Sequence, residues 1–184
     1  MSKRWILLDR DGTVIAEKHY LHDPAEVEIL PGVVEGLLKL QKAGYKFVVL
    51  TNQSGIGRGY YSKEDMDAVH LRIAGLLAAR GVLVSGFFHC PHRPDENCGC
   101  RKPKTGLAKQ AMKSLGFSLA EVSCVAGDKK CDVDFASNLG VPSVLVMTGY
   151  GADEFAKGVR GLYNVIDMKE AAEIIIGMDG ALRG

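Results

Sequence analysis

Apolar residues along this chain follow two rhythms. Short, nearly unbroken runs occupy 4–9 (RWILLD), 46–51 (KFVVLT), 84–89 (VSGFFH), 122–128 (VSCVAGD) and 142–148 (PSVLVMT), as in strands covered on both faces. Between them, apolar positions recur at helical spacing. The segment 31–44 opens on Pro31 and closes on Gly44, and 62–81 opens on Ser62 and closes on Gly81, matching the preferences of helix ends. Thr105 heads a third helix reaching Gly116, residues 131–140 end on Gly140, and 167–176 carry a last apolar face. Strands alternating with helices predict one doubly wound, Rossmann-like α/β domain over residues 1–184, with a mainly parallel sheet. No repeat, low-complexity segment or linker interrupts the pattern.

Composition narrows the partners more than the fold. With 184 residues the chain can bury a core without staples. Its 23 Lys and Arg against 22 Asp and Glu leave a net charge of +1, so neither nucleic acid nor an anionic membrane is an expected partner and any anion binding must be local. After Lys3 and Arg4 only four apolar residues precede Asp9, too few for a secretory core. A cytoplasmic location is expected, where clustered thiolates signal metal more often than disulfides.

The chemically suggestive residues fall at the carboxyl ends of the predicted strands, where open α/β sheets bind ligands. Asp9 and Asp11 follow the first strand, Thr51 and Asn52 end the second, and Asp128 ends the fourth. In extended backbone, Asp9 and Asp11 point the same way. Three carboxylates around one point repel unless a hard cation such as Mg²⁺ lies between them. The Gly-rich stretch 51–59 (TNQSGIGRG), with Arg58, offers backbone amides to an anion.

After the third strand, Cys90-x-His92-x5-Cys98-x-Cys100 supplies four ligands within eleven residues, suiting a closed, structural zinc site. Tying off this loop would aim Arg101 and Lys102 at the same crevice as a fork and a point charge for phosphate, with Lys104 on the surface. His19 and His22 are candidates for substrate contact, His70 and His89 are structural, Cys124 is a buried strand residue, and Cys131 has no evident role.

In their order along the chain, Asp9-x-Asp11-Gly12-Thr13, Thr51, Lys102 and Gly127-Asp128 resemble the motifs of the haloacid dehalogenase superfamily. The Cys-x-His…Cys-x-Cys-Arg-Lys-Pro loop resembles that of its capless branch, which holds heptose-bisphosphate and histidinol-phosphate phosphatases. The resemblance implies a Mg²⁺-dependent phosphatase with a structural Zn²⁺ and a small phosphorylated sugar as partner; a monomer is the expected state. Asp9 would be the nucleophile, forming an aspartyl-phosphate, and Asp11 the acid/base. Mg²⁺ would be held by Asp9, Asp128 and the backbone carbonyl of Asp11, while Thr51 and Lys102 hold the phosphoryl oxygens. Glu17, Lys18, His19, Tyr20, Asn52, Gln53, Ser54, Arg101 and Lys129 would contact substrate, although Glu17-Lys18 departs from the family's acidic-His pair.

The stretches TNQSGIGRG, GDKKCD and VMTGYG are more similar to the heptose enzymes, whereas the x5 spacer is more similar to the histidinol enzymes. The expected reaction is removal of the 7-phosphate from D-glycero-D-manno-heptose 1,7-bisphosphate, with histidinol phosphate as the alternative substrate. A receiver-type phospho-accepting domain is the alternative of another class, but it has no use for a second carboxylate or a zinc loop.

Overall fold

The computed structural model describes residues 4–181, so Lys3 of the N-terminal segment lies outside it. Six strands form one parallel sheet: β1 (Trp5–Leu8), β2 (Lys46–Asn52), β3 (Val84–Cys90), β4 (Val122–Gly127), β5 (Ser143–Val146) and β6 (Tyr163–Val165). Their spatial order is β3-β2-β1-β4-β5-β6. The chain therefore reverses direction across the sheet between β1 and β4, and that switch point opens a crevice at the strand carboxyl ends.

Alternation along the strands explains the two cores. Ile6, Leu8, Phe47, Val49, Cys124 and Ala126 face one side, under α1 (Val33–Lys42), α3 (Lys63–Ala78) and α7 (Met168–Ala181). Trp5, Leu7, Val48, Leu50 and Val125 face the other, under α4 (Gly106–Leu115) and α5 (Lys130–Leu139). Both faces are dry, hence the unbroken apolar runs. Ser62 caps α3 as expected, accepting from Asp65 N at 3.1 Å while Asp65 accepts from Ser62 N. Thr105 stands at the start of α4 without a side-chain cap bond.

Besides short 3-10 turns, one strand and two α-helices are absent from the predicted pattern: β6, α2 (Ser54–Gly57) and α6 (Gly151–Ala156). Each is too short for a period to register, and both helices contain Gly. The Gly-rich stretch after β2 is thus partly helical rather than an open loop. Among the described residues, the segment between β1 and α1 carries one 3-10 turn, Pro24–Glu26, and isolated bridges at Asp11–Ile15 and Ile15–Ile29, too little for a second folded unit over the crevice. Among the described residues no helix is long and apolar enough to cross a membrane.

His70, on the inner side of α3, is structural as expected: it is 7% exposed and stacks on Phe87 at 4.8 Å. Burial, helped by Arg10 and His89, pushes it from 6.5 down to about 3. The unfolded chain binds the extra proton, so this histidine's stability is present above the unfolded value and lost as pH falls through the window between the two. Unfolding free energy should drop by about 2 kcal/mol between pH 7 and pH 5 on this account. Denaturant melts of wild type and His70→Gln at both pH values check it; an equally steep fall in the variant would remove His70 as the cause.

Candidate active site

Asp9 leaves β1 just as the sheet ends, its backbone N–H still bonded to Ala126 O at 2.9 Å. Its carboxylate lies on the floor of a cleft of about 410 Å³. There Lys102, 4% exposed, extends its ammonium to Asp9 Oδ1 at 2.7 Å and to Asp132 Oδ1 at 2.6 Å. Burial opposes charge on Lys102, but the Asp132 and Asp9 carboxylates outweigh it and raise the pKa, so the lysine stays protonated.

Asp132 is a site residue that sequence reasoning missed. It sits four residues beyond Asp128 on the first turn of α5, accepts from Lys129 N at 3.2 Å, and is fully enclosed. The second acidic residue in GDKKCD is the only local signal for it, and an acidic residue at a helix start already has an ordinary capping explanation.

Asp9, Asp128 and Asp132 each bring a carboxylate oxygen within 4.8 Å of the others. Burial, reinforced by Asp9, pushes Asp128 up to about 8. Its Oδ2 accepts from Tyr150 N at 2.8 Å, while its Oδ1 is buried without a partner. Three enclosed carboxylates facing one buried ammonium leave excess negative charge and an orphaned oxygen, so the donor set fits a hard, oxygen-seeking cation. Gly12 and Gly149 make this approach possible. Both have positive φ, and a Cβ would come within 2.1 and 2.3 Å of Asp128 Oδ2, respectively.

Asp11 lines the same cleft as Asp9. Arg10 grips it through Nη2 to Oδ1 at 2.9 Å and Nε to Oδ2 at 3.0 Å. Gln53 also donates to Asp11 Oδ2 at 3.0 Å and to Thr51 Oγ1 at 2.8 Å, and accepts from Arg10 and Tyr61. The side chain expected at the substrate is therefore occupied internally.

Asn52 has a comparable use. It sits opposite Cys90 in register, accepts from Lys102 N at 3.0 Å and donates to Lys102 O at 3.2 Å. Pairing of β2 with β3 thus fixes where the Cys/His loop delivers its lysine.

In that loop the Sγ atoms of Cys90, Cys98 and Cys100 lie 3.2–3.6 Å apart, with His92 Nδ1 at 3.3 and 3.5 Å from Cys100 and Cys90. All of these thiols are free. A tetrahedral zinc with thiolate arms of ~2.3 Å needs donor separations of ~3.7 Å, so the four groups suit one such ion. Lys104 braces the loop through Cys98 O at 2.9 Å and Asn97.

Of the other expected contacts, Glu17, His19, Tyr20, Ser54, Arg101 and Lys129 line the cleft. Lys129 is bound to Glu17 at 2.8 Å and lies 4.8 Å over the Tyr150 ring. Lys18 does not line the cleft: it turns outward to Glu26 O at 2.8 Å and Glu28 at 3.7 Å. Arg58 and His22 are also outside the lining, His22 stacking on Tyr61. Cys131 lines the cleft unexpectedly; burial and Asp132 push its thiol up to about 12, so it stays neutral.

A HAD-hydrolase-like family model matches residues 99–170. The D-glycero-beta-D-manno-heptose-1,7-bisphosphate 7-phosphatase of Pseudomonas putida is 41% identical over 155 residues, 84% of this chain and 88% of that protein. The histidine biosynthesis bifunctional protein HisB of Legionella pneumophila is 40% identical over 141 residues, 76% of this chain, but the chain spans only 40% of that protein's length. The structure of D,D-heptose 1,7-bisphosphate phosphatase from B. bronchiseptica, complexed with magnesium and phosphate, superposes with a TM-score of 0.86 at 33% identity, covering 95% of this chain and 99% of that one.

Proposed function

The chain belongs to the haloacid-dehalogenase-like phosphatases, and from that premise we propose that it removes the 7-phosphate of D-glycero-D-manno-heptose 1,7-bisphosphate. The observation that carries the reading is a floor of three carboxylates and a buried lysine beneath a rim bearing Arg101 and Lys129. The similarity to the Pseudomonas putida enzyme supports the choice of sugar.

In this reading Asp9 attacks the phosphorus to form an aspartyl-phosphate, with Lys102 orienting its carboxylate. Asp11 gives its proton to the departing sugar oxygen and then takes one from the water that opens the intermediate. Thr51 and Lys102 hold the phosphoryl oxygens, and Asp132 holds Lys102. A Mg²⁺ ion held by Asp9, Asp128 and the backbone carbonyl of Asp11 would offset the negative charge that otherwise repels a phosphate ester. Zn²⁺ held by Cys90, His92, Cys98 and Cys100 would keep Arg101 and Lys102 in place. The thiolate knuckle suits a reducing compartment, and we take the enzyme to be a cytoplasmic monomer of one domain.

A bisphosphate carries a second anion that Arg101 can receive at the rim, joined by Lys129 once Glu17 releases it. Histidinol phosphate instead presents cationic groups there. The resemblance to the Legionella protein keeps histidinol phosphate as the second reading. Phosphate release measured in Mg²⁺ from both substrates, with ³¹P NMR of the remaining ester, decides between them. Preference for histidinol phosphate, or loss of the 1-phosphate, would defeat the heptose reading. Arg101→Ala should lower kcat/KM for the bisphosphate tenfold or more, equivalent to about 1.5–3 kcal/mol, while changing a small monophosphate little.

A further inference from the structure

Among the described residues Arg10 heads the largest fully buried side chains, at 1% exposure, and it is charged. Enclosing a guanidinium is unfavourable unless all its donors are paired, yet its Nη1 is buried without a partner. Its remaining donors are all committed to one place. Nε and Nη2 fork onto the two oxygens of Asp11, and Nη2 also reaches Gln53 Oε1 at 3.1 Å.

Gln53 is in turn held from both sides. Its Nε2 donates to Asp11 and Thr51, and its Oε1 accepts the Tyr61 hydroxyl at 2.6 Å. The Tyr61 ring packs against Gly55, where a Cβ would meet it at 2.1 Å, and stacks on His22. The backbone of Arg10 is pinned as well, its carbonyl accepting from Val14 N at 2.9 Å and Ile15 N at 3.0 Å.

We infer that Arg10, fixed by Gln53 and Tyr61, is a positioning residue that aims the Asp11 carboxylate at the leaving-group oxygen. The inference rests on the acid/base reading of Asp11. Bidentate pairing sets the plane of a carboxylate as well as its place. Misplacing a reacting group by about 1 Å can lose on the order of 10²-fold in rate. The buried charge is thus kept for the direction it imposes on its neighbour, while substrate never touches it.

The test separates aim from folding. Because kcat/KM covers the steps up to the aspartyl-phosphate, it reports how well the leaving group is protonated. In Arg10→Met, kcat/KM should fall on the order of 10²-fold for an alkyl phosphate such as glycerol phosphate. For p-nitrophenyl phosphate, whose leaving group needs little protonation, the fall should be about tenfold smaller. Competitive inhibition by inorganic phosphate should stay within about twofold, because the Asp9–Lys102 pair is untouched and Gln53 is still present to donate to Thr51.

Tyr61→Phe keeps the ring and removes one hydrogen bond. It should show the same selectivity at roughly 3- to 10-fold, and it serves if Arg10→Met does not fold. Equal losses on both esters in these variants, or weakened phosphate inhibition, would overturn the inference and leave Arg10 a core ion pair. Asp11→Asn is the control: selectivity there but not in the Arg10 and Tyr61 variants overturns the positioning role alone. Its absence in Asp11→Asn overturns the acid/base reading beneath it.

Discussion

Asp9→Asn is expected to lose at least about 10⁴-fold in turnover while folding normally, because the amide is nearly isosteric and cannot attack phosphorus. The local charges make this a clean experiment. Lys102 loses one of two carboxylate partners but keeps Asp132 at 2.6 Å. Asp128, whose pKa is raised by burial and by Asp9, gains when that negative charge disappears. The two changes act in opposite directions, so the melting temperature should move little.

The covalent step has its own readout. Acid quenching during turnover should trap phosphate on the peptide containing Asp9, and a phosphoryl group made chiral with oxygen isotopes should be released with retained configuration after two displacements. Inversion would mean direct attack by water, and the nucleophile assignment would be wrong.

Lys102→Met should do damage of a different kind, removing both activity and stability. The methionine fills most of the space, but Asp9 and Asp132 are left enclosed without their counter-charge. Breaking a buried pair from one side typically costs about 3–5 kcal/mol, far more than the pair itself contributes. Urea unfolding should show a loss of that order. Excess Mg²⁺ should recover part of it by binding the freed carboxylates, without recovering turnover. A variant that melts like wild type in Mg²⁺-free buffer would mean that Asp9 and Asp132 tolerate each other by sharing a proton, and the charge account given above would be incorrect.

Read as a string, the chain determines whatever is local. The Cys/His cluster is visible because its ligands lie within eleven residues, so a short loop can gather them without help from the rest of the protein. The strands are visible because residues buried on both faces must be apolar, and Asp9 and Asp128 stand out because they follow such runs directly. What the tertiary structure alone decides is the direction of each polar side chain once distant segments meet. Gln53 turns inward because Arg10 and Tyr61 converge on it, and Lys129 meets Glu17 across 112 positions. Lys18 is drawn outward by Glu26 and Glu28, which its neighbours in sequence do not reveal. Asp132 needs the knuckle, β2 and α5 in place together before it can face Lys102. Spacing records which groups share a strand end, but a hydrogen bond depends on distances of a few tenths of an ångström, and those follow from the packing of whole elements.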